Sequence, residues 1–255
     1  DPPEKPRHKV EVCLDAPRPS FRTFAATAGI LQYASRTLGI SLAPYHPARR
    51  AISDIAWLLE RCDDLWDKPL PQLCDAVTKN LREWRDAILA AKPRVMSEPE
   101  FPELVIIVDA SDDGWGALSF DNHGSETFRA QKWSTADRRA FDTKVSTRAE
   151  SEGLYRACCM LVRHSAHRTV YIASDSSATT GAVNKGSSMS YWMNYVCRKL
   201  QAAFPHITFH VVHIPGATNP ADGISRGLPE PSCEDWARAR SIADEAKATR
   251  VSGRR

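Results

Sequence analysis

No run of apolar residues in this 255-residue chain approaches the ~18 needed to cross a bilayer, so no membrane span is expected. The opening Asp1-Pro2-Pro3-Glu4-Lys5-Pro6 lacks the apolar centre of a signal peptide, and a start without Met suggests an excised piece of a longer polypeptide. None of the seven cysteines forms a CxxC pair, and their number is odd, which argues against a disulfide framework. A reducing, intracellular setting is therefore expected, with cytoplasm and nucleus equally open. Charge of one sign is also missing. A net charge of +3 permits an anionic partner without demanding one. Internal repeats and low-complexity tracts are absent too. What remains, 42% hydrophobic and 25% charged, is the composition of a soluble globular protein.

The chain changes character near residue 95. Before it, apolar residues recur at helical spacing: Phe21, Phe24, Ala25, Ala28 and Leu31 on one face, then Ala48, Ile52, Ile55, Ala56 and Leu59 after Pro47. A third set, Leu73, Val77, Leu81, Trp84 and Ile88, follows Pro71. Residues 18–91 are thus read as a small all-helical module behind an extended segment 1–17, with the proline-containing stretch 92–102 as linker. From 103 to 227 the pattern is β-rich. Leu104 to Val108 is a continuous apolar run fit for a central strand covered on both faces. Asp113-Gly114 and Gly116 bracket a turn into Ala117 to Phe120, and Asn122-His123-Gly124 turns into Thr127 to Trp133. A helix over about 147–162, a strand at Val170 to Ala173, two further helices, a strand from Ile207 to Ile214 and a last helical turn near Asp222 complete the order. The fold class is α/β, a mixed five-stranded sheet flanked by helices. Residues 228–255 are expected as a polar C-terminal tail, with a helix over Cys233 to Thr249.

Four acidic residues hold telling places in that order. Asp109 and Asp175 end two strands, Glu150 lies on the first long helix, and Asp222 opens the last helical turn. A carboxylate at the end of a buried strand is costly unless compensated, and any one of these could be a helix cap or an ion-pair partner. Four together would need cations. Hard oxygen donors with no Cys or paired His suit Mg²⁺ or Mn²⁺, and two such ions suit an in-line phosphodiester cleavage. Glu150 and Glu152 lie ~200° apart on a helix, so only one can face the sheet. Glu150 shares its face with Leu154, Ala157 and Leu161 and is taken as the ligand; Glu152 is expected as a solvated surface charge.

Here the sequence resembles a known family. Val108-Asp109-Ala110-Ser111 with Gly114-Trp115-Gly116-Ala117, Arg148-Ala149-Glu150 with Gly153-Leu154-Tyr155, Ser174-Asp175-Ser176, and the run His213 to Arg226 are similar to the ribonuclease H domain of retroelement reverse transcriptases. The likeness is nearest to the tyrosine-recombinase and gypsy-type long-terminal-repeat groups. Each motif alone is weak; all four in order, 41, 25 and 47 residues apart, are specific. The resemblance implies a ribonuclease H-like sheet, cleavage of the RNA strand of an RNA–DNA hybrid, and two metal ions held by Asp109, Glu150, Asp175 and Asp222. A loop histidine found in many relatives is missing, with Ala217 near its place.

Holding a hybrid requires sensing the 2′-hydroxyl and gripping phosphates. Backbone groups from Ser111 to Trp115 lie beside Asp109, and Ser176 and Ser177 stand at a helix start, where free N–H groups favour phosphate. Lys132 and Arg148, with Arg138, Arg139 and Lys144 between them, form a basic stretch able to track the DNA strand. The helical module resembles, more loosely, the thumb and connection of a retrotransposon polymerase. The palm and fingers are absent, because Asp63-Asp64 follows a helix instead of sitting in a hairpin. A polymerase partner is thus implied. The competing reading is a non-catalytic ribonuclease H-fold module that binds nucleic acid or serves as a scaffold.

Overall fold

The computed structural model describes residues 11, 13, 18–91, 101–164 and 166–249. The chain forms two compact units, Asp1–Val95 and Met96–Arg255.

In the first unit, α1 (Phe21–Leu38) begins where the Ser20 hydroxyl accepts a hydrogen bond from Thr23 N and ends at Gly39 in the left-handed region, where glycine carries no Cβ penalty. Helix α2 (His46–Leu59) has Pro47 in its first turn, and α3 is Asp75–Ala90. Phe24, Leu31, Leu81 and Trp84 are fully buried among them. Two buried polar groups fix the packing: Trp84 Nε1 donates to Ser35, and Asn80 Oδ1 accepts from Ala48 N. The stripe expected on α2 is only partly used. Ala48 and Leu59 are buried, but Ala56 is exposed. The segment expected to be extended is not so at its two described residues. Glu11 and Cys13 are helical, and Cys13 joins the core of this unit. Most of the expected linker, residues 92–100, lies outside the described residues.

The second unit is built on the expected mixed five-stranded sheet flanked by helices. Strands β1 (Leu104–Ala110), β2 (Gly114–Asp121) and β3 (Glu126–Lys132) are antiparallel, while β4 (Thr169–Ser174) and β5 (Thr208–His213) run parallel to β1, in the order β3-β2-β1-β4-β5. Period-two alternation divides β1 between two cores. Leu104, Ile106 and Val108 face the side covered by α5 (Ser146–Leu161) and α7 (Tyr191–Ala203), whereas Val105 and Ile107 face the other. The short α4 (Thr135–Phe141) precedes α5, and α6 (Ser177–Lys185) follows β4.

One expectation changes here. Gly114 and Gly116 lie within β2 and not in a turn. A Cβ on Gly116 would come within 2.5 Å of Ile224, so its role is close approach. The helix expected in the polar C-terminal stretch is present, and it packs on the sheet. Helix α9 (Cys233–Ala248), capped by a reciprocal Ser232–Asp235 box, buries Ala239, Ala243 and Ala246 with Val105, Ile107 and Phe120. The small alanine side chains let this polar-looking helix lie close to the sheet as its second covering layer.

Candidate active site

The parallel pairing of β1 with β4 ends at Val108↔Ser174, so Asp109 and Asp175 follow next along the two adjacent strand ends. Helix α5 crosses this strand end at Gly153, where a Cβ would come within 2.9 Å of Ala110 Cβ and 3.1 Å of Trp115 Cβ. That close approach brings Glu150, one turn earlier, towards Asp175. Helix α8 (Asp222–Ser225) follows Asn219 and supplies the fourth carboxylate.

Asp109 is 6% exposed. Burial raises its pKa, the Ser225 hydroxyl opposes that rise by donating to Oδ2, and the charges of Asp175 and Asp222 add to it, leaving the carboxyl pushed up to about 6. Its other oxygen faces Asn219, whose Nδ2 donates to Asp109 Oδ1 at 3.3 Å and to Val108 O at 3.2 Å. Glu150 is half-buried and shifted upwards, first by burial and then by Asp175, against a hydrogen bond to Ser176. Asp222 pairs with Arg226, Oδ1 to Nε, at 2.8 Å. Asp175, Asn219, Asp222, Arg226, Asp235 and Arg238 all line a cavity of about 530 Å³.

Asp109 therefore senses Asp175 and Asp222, and Glu150 senses Asp175, yet the side chains of Asp109, Glu150 and Asp222 are turned to internal donors. Among the described residues, no three His, Cys, Asp or Glu groups stand together closely enough to hold a metal ion. The donor chemistry still fits a hard divalent cation, being all carboxylate oxygen. The Arg226 charge offsets only part of the upward shift of buried Asp109.

The other expected site residues fare unevenly. Trp115 cannot touch a ligand with its side chain. It is fully buried on the α5 side of β2, and its backbone is committed to the sheet. Ser111 is also spent internally: its hydroxyl donates to Ser225 O at 2.8 Å, and its carbonyl accepts from Trp133 Nε1 at 2.8 Å. Ser176 is the cap of α6, accepting from Thr179 N at 3.2 Å, while Ser177 is exposed beside it. Lys132 is exposed at the end of β3, and Arg148 is half-exposed on α5.

Glu152 is the clearest correction. It is 4% exposed, not solvated, and its Oε1 lies 3.3 Å from Arg156 Nε and 3.2 Å from Lys199 Nζ. The helical period rightly turned it from the sheet, but α7 covers that flank. Asn219 and Ser225 were not singled out as site residues. Both stand in the closing run His213 to Arg226, and no local signal points a serine at a carboxylate 116 positions away.

No family model and no curated protein matches the chain. Among solved structures, it is similar to the RNase H1 of the halophilic archaeon Halobacterium salinarum NRC-1, at 12% identity and a TM-score of 0.34, covering 49% of this chain and 94% of that one. The N-terminal RNase H domain of a Mycobacterium tuberculosis protein matches at 17% identity and a TM-score of 0.34, over 55% of this chain and 97% of that one. A foamy viral protease-reverse transcriptase in complex with RNA/DNA hybrid matches at 13% identity and a TM-score of 0.31, covering 88% of this chain. The match spans only 28% of that viral chain.

Proposed function

We infer that the second unit is a ribonuclease H that cleaves the RNA strand of an RNA–DNA hybrid, as the nuclease part of a retroelement reverse transcriptase. The observation that carries this reading is the placement of Asp109 at the end of β1 beside β4, tied by Asn219 and Ser225 to the closing segment, with Asp175 and Asp222 lining one cavity. Bound at these four carboxylates, two Mg²⁺ or Mn²⁺ ions would supply Lewis acidity towards the phosphoryl group and lower the pKa of the attacking water. The protein's own part is positioning. Ser225 and Asn219 orient both oxygens of Asp109, Ser176 orients Glu150, and the sheet register fixes Asp109 beside Asp175. Exposed Lys132 and half-exposed Arg148 suit the DNA strand, and Ser177 at the α6 start suits a phosphate. The palm and fingers of a polymerase would come from a separate region, with the helical module serving as thumb.

A labelled hybrid incubated with Mg²⁺ should yield RNA fragments ending in 3′-hydroxyls, and chelation should stop the reaction. Asp109→Asn and Asp175→Asn should each reduce cleavage at least a hundredfold with the fold retained. Undiminished cleavage in either variant would overturn the assignment.

The second reading is a non-catalytic module that binds nucleic acid or acts as a scaffold. One observation favours it: Asp109, Glu150 and Asp222 are engaged by Ser225, Ser176 and Arg226, and no metal cluster closes among the described residues. Hybrid binding without Mg²⁺-dependent cleavage would select it.

For setting, all seven cysteines are free thiols, which supports a reducing compartment. Among the described residues, no helix is long and apolar enough to cross a membrane.

A further inference from the structure

Arg226 is placed where a cation would otherwise be wanted. It follows Asp222 by one helical turn, its Nε lies 2.8 Å from Asp222 Oδ1, and both residues line the cavity that also contains Asp175. The pairing is not structural reinforcement of a buried core. The two side chains are 65% and 43% exposed, and ion pairs so open to water are weak and exchange partners readily. Asp222 and Asp175 are both half-buried, whereas Asp109 is buried. Across the cavity, Arg238 on α9 supplies a second guanidinium, paired with Glu234 of its own helix. The cavity thus has carboxylates and guanidinium groups on one surface, with the cationic groups lightly held.

We propose that Arg226 is a positioning residue that changes partner: it holds Asp222 while no divalent cation is bound, and on cation binding it is released to a phosphate of the bound nucleic-acid strand. This rests on the metal-dependent nuclease reading given above. The exposure of the pair and the charges involved favour such an exchange. A cation bound at Asp222 would compete with the guanidinium for the same exposed carboxylate, and the two positive charges repel at such range. Arg226 then stands free at the rim of an anion-facing cavity, and a planar guanidinium fork is suited to a phosphate. Cation and nucleic acid would bind cooperatively through this one side chain, and linkage makes the effect reciprocal.

Three proteins separate the outcomes: wild type, Arg226→Ala and Arg226→Lys. Mg²⁺ alone is titrated by calorimetry without nucleic acid, and hybrid affinity is measured by fluorescence anisotropy in EDTA and in Ca²⁺. Arg226→Ala should bind Mg²⁺ roughly two- to five-fold more tightly, the range set by an exposed ion pair. It should also lose most of the gain in hybrid affinity that Ca²⁺ gives wild type. Arg226→Lys keeps the charge without the fork and should fall between the two. Unchanged Mg²⁺ affinity in Arg226→Ala, with wild type binding Mg²⁺ normally, would overturn the exchange and leave the nuclease reading standing. A wild type that binds hybrid but no Mg²⁺ would overturn both.

Discussion

Asp109 holds the site's largest electrostatic cost. An aspartate ordinarily ionises near 4, and this one is pushed up to about 6 because it is buried beside two like charges. The sign follows from the raised value. Below about pH 4 the group is neutral in both folded and unfolded chains and costs nothing. As pH rises through 6, the unfolded chain ionises first and the folded state loses on the order of 3 kcal/mol. In divalent-free buffer, Asp109→Asn should therefore melt higher than wild type, with a gap that opens between pH 4 and 6.5. A constant gap across that range would refute the assignment. Glu152 poses the opposite case, a buried carboxylate held by Arg156 and Lys199. Glu152→Gln leaves those cations partly unpaired and should cost about 1–3 kcal/mol in urea unfolding. Arg156 keeps Asp137, which limits the loss. Glu150→Gln should instead spare stability and remove cleavage. A stable Glu152→Gln would mean that its ion pairs contribute nothing measurable.

At the scale of elements, the distance between α5 and the sheet decides whether Glu150 reaches the other carboxylates. Gly153 sets that distance. Gly153→Ala gains about 1 kcal/mol of helix propensity. Against this, the new methyl would lie 2.9 Å from Ala110 Cβ and 3.1 Å from Trp115 Cβ, atoms anchored to strands. Overpacking of that kind costs about 1–3 kcal/mol, so the clash wins. The variant should melt several degrees lower and cleave more slowly, because Glu150 is lifted with its helix. A higher melting temperature would show that the sheet yields. The five strands and the bounds of α5, α6 and α7 were legible in the sequence, because contiguous β-branched runs and capping residues are local signals, whereas the short α4 was not. Helix α9 was only half legible. Its span was readable, but its burial was not, since Ala239, Ala243 and Ala246 carry little hydrophobic signal among charged neighbours.

For the whole molecule, the division into Asp1–Val95 and Met96–Arg255 gives each unit its own core, one around Trp84 and Leu31, the other on the two faces of β1. A chain beginning at Met96 should therefore fold, with a cooperative thermal transition. If the helical module grips duplex as a thumb, that shorter chain should bind hybrid more weakly and scatter its cut positions while keeping Mg²⁺-dependent cleavage. Equal affinity and identical cut sites in gel assays would remove the gripping role.

The sequence by itself determined the α/β order, the five strands and the four acidic positions Asp109, Glu150, Asp175 and Asp222. Those properties follow from neighbours along the chain: apolar period, turn residues and motif spacing. Only the tertiary structure decided that Trp115 is core, that Glu152 is buried under α7, that α9 roofs the sheet, and that Asn219, Ser225 and Arg226 occupy the acidic group. Helical period can say which side of α5 faces the sheet. It cannot say that another helix covers the opposite flank, because that contact joins Glu152 to Lys199 across 47 positions of chain.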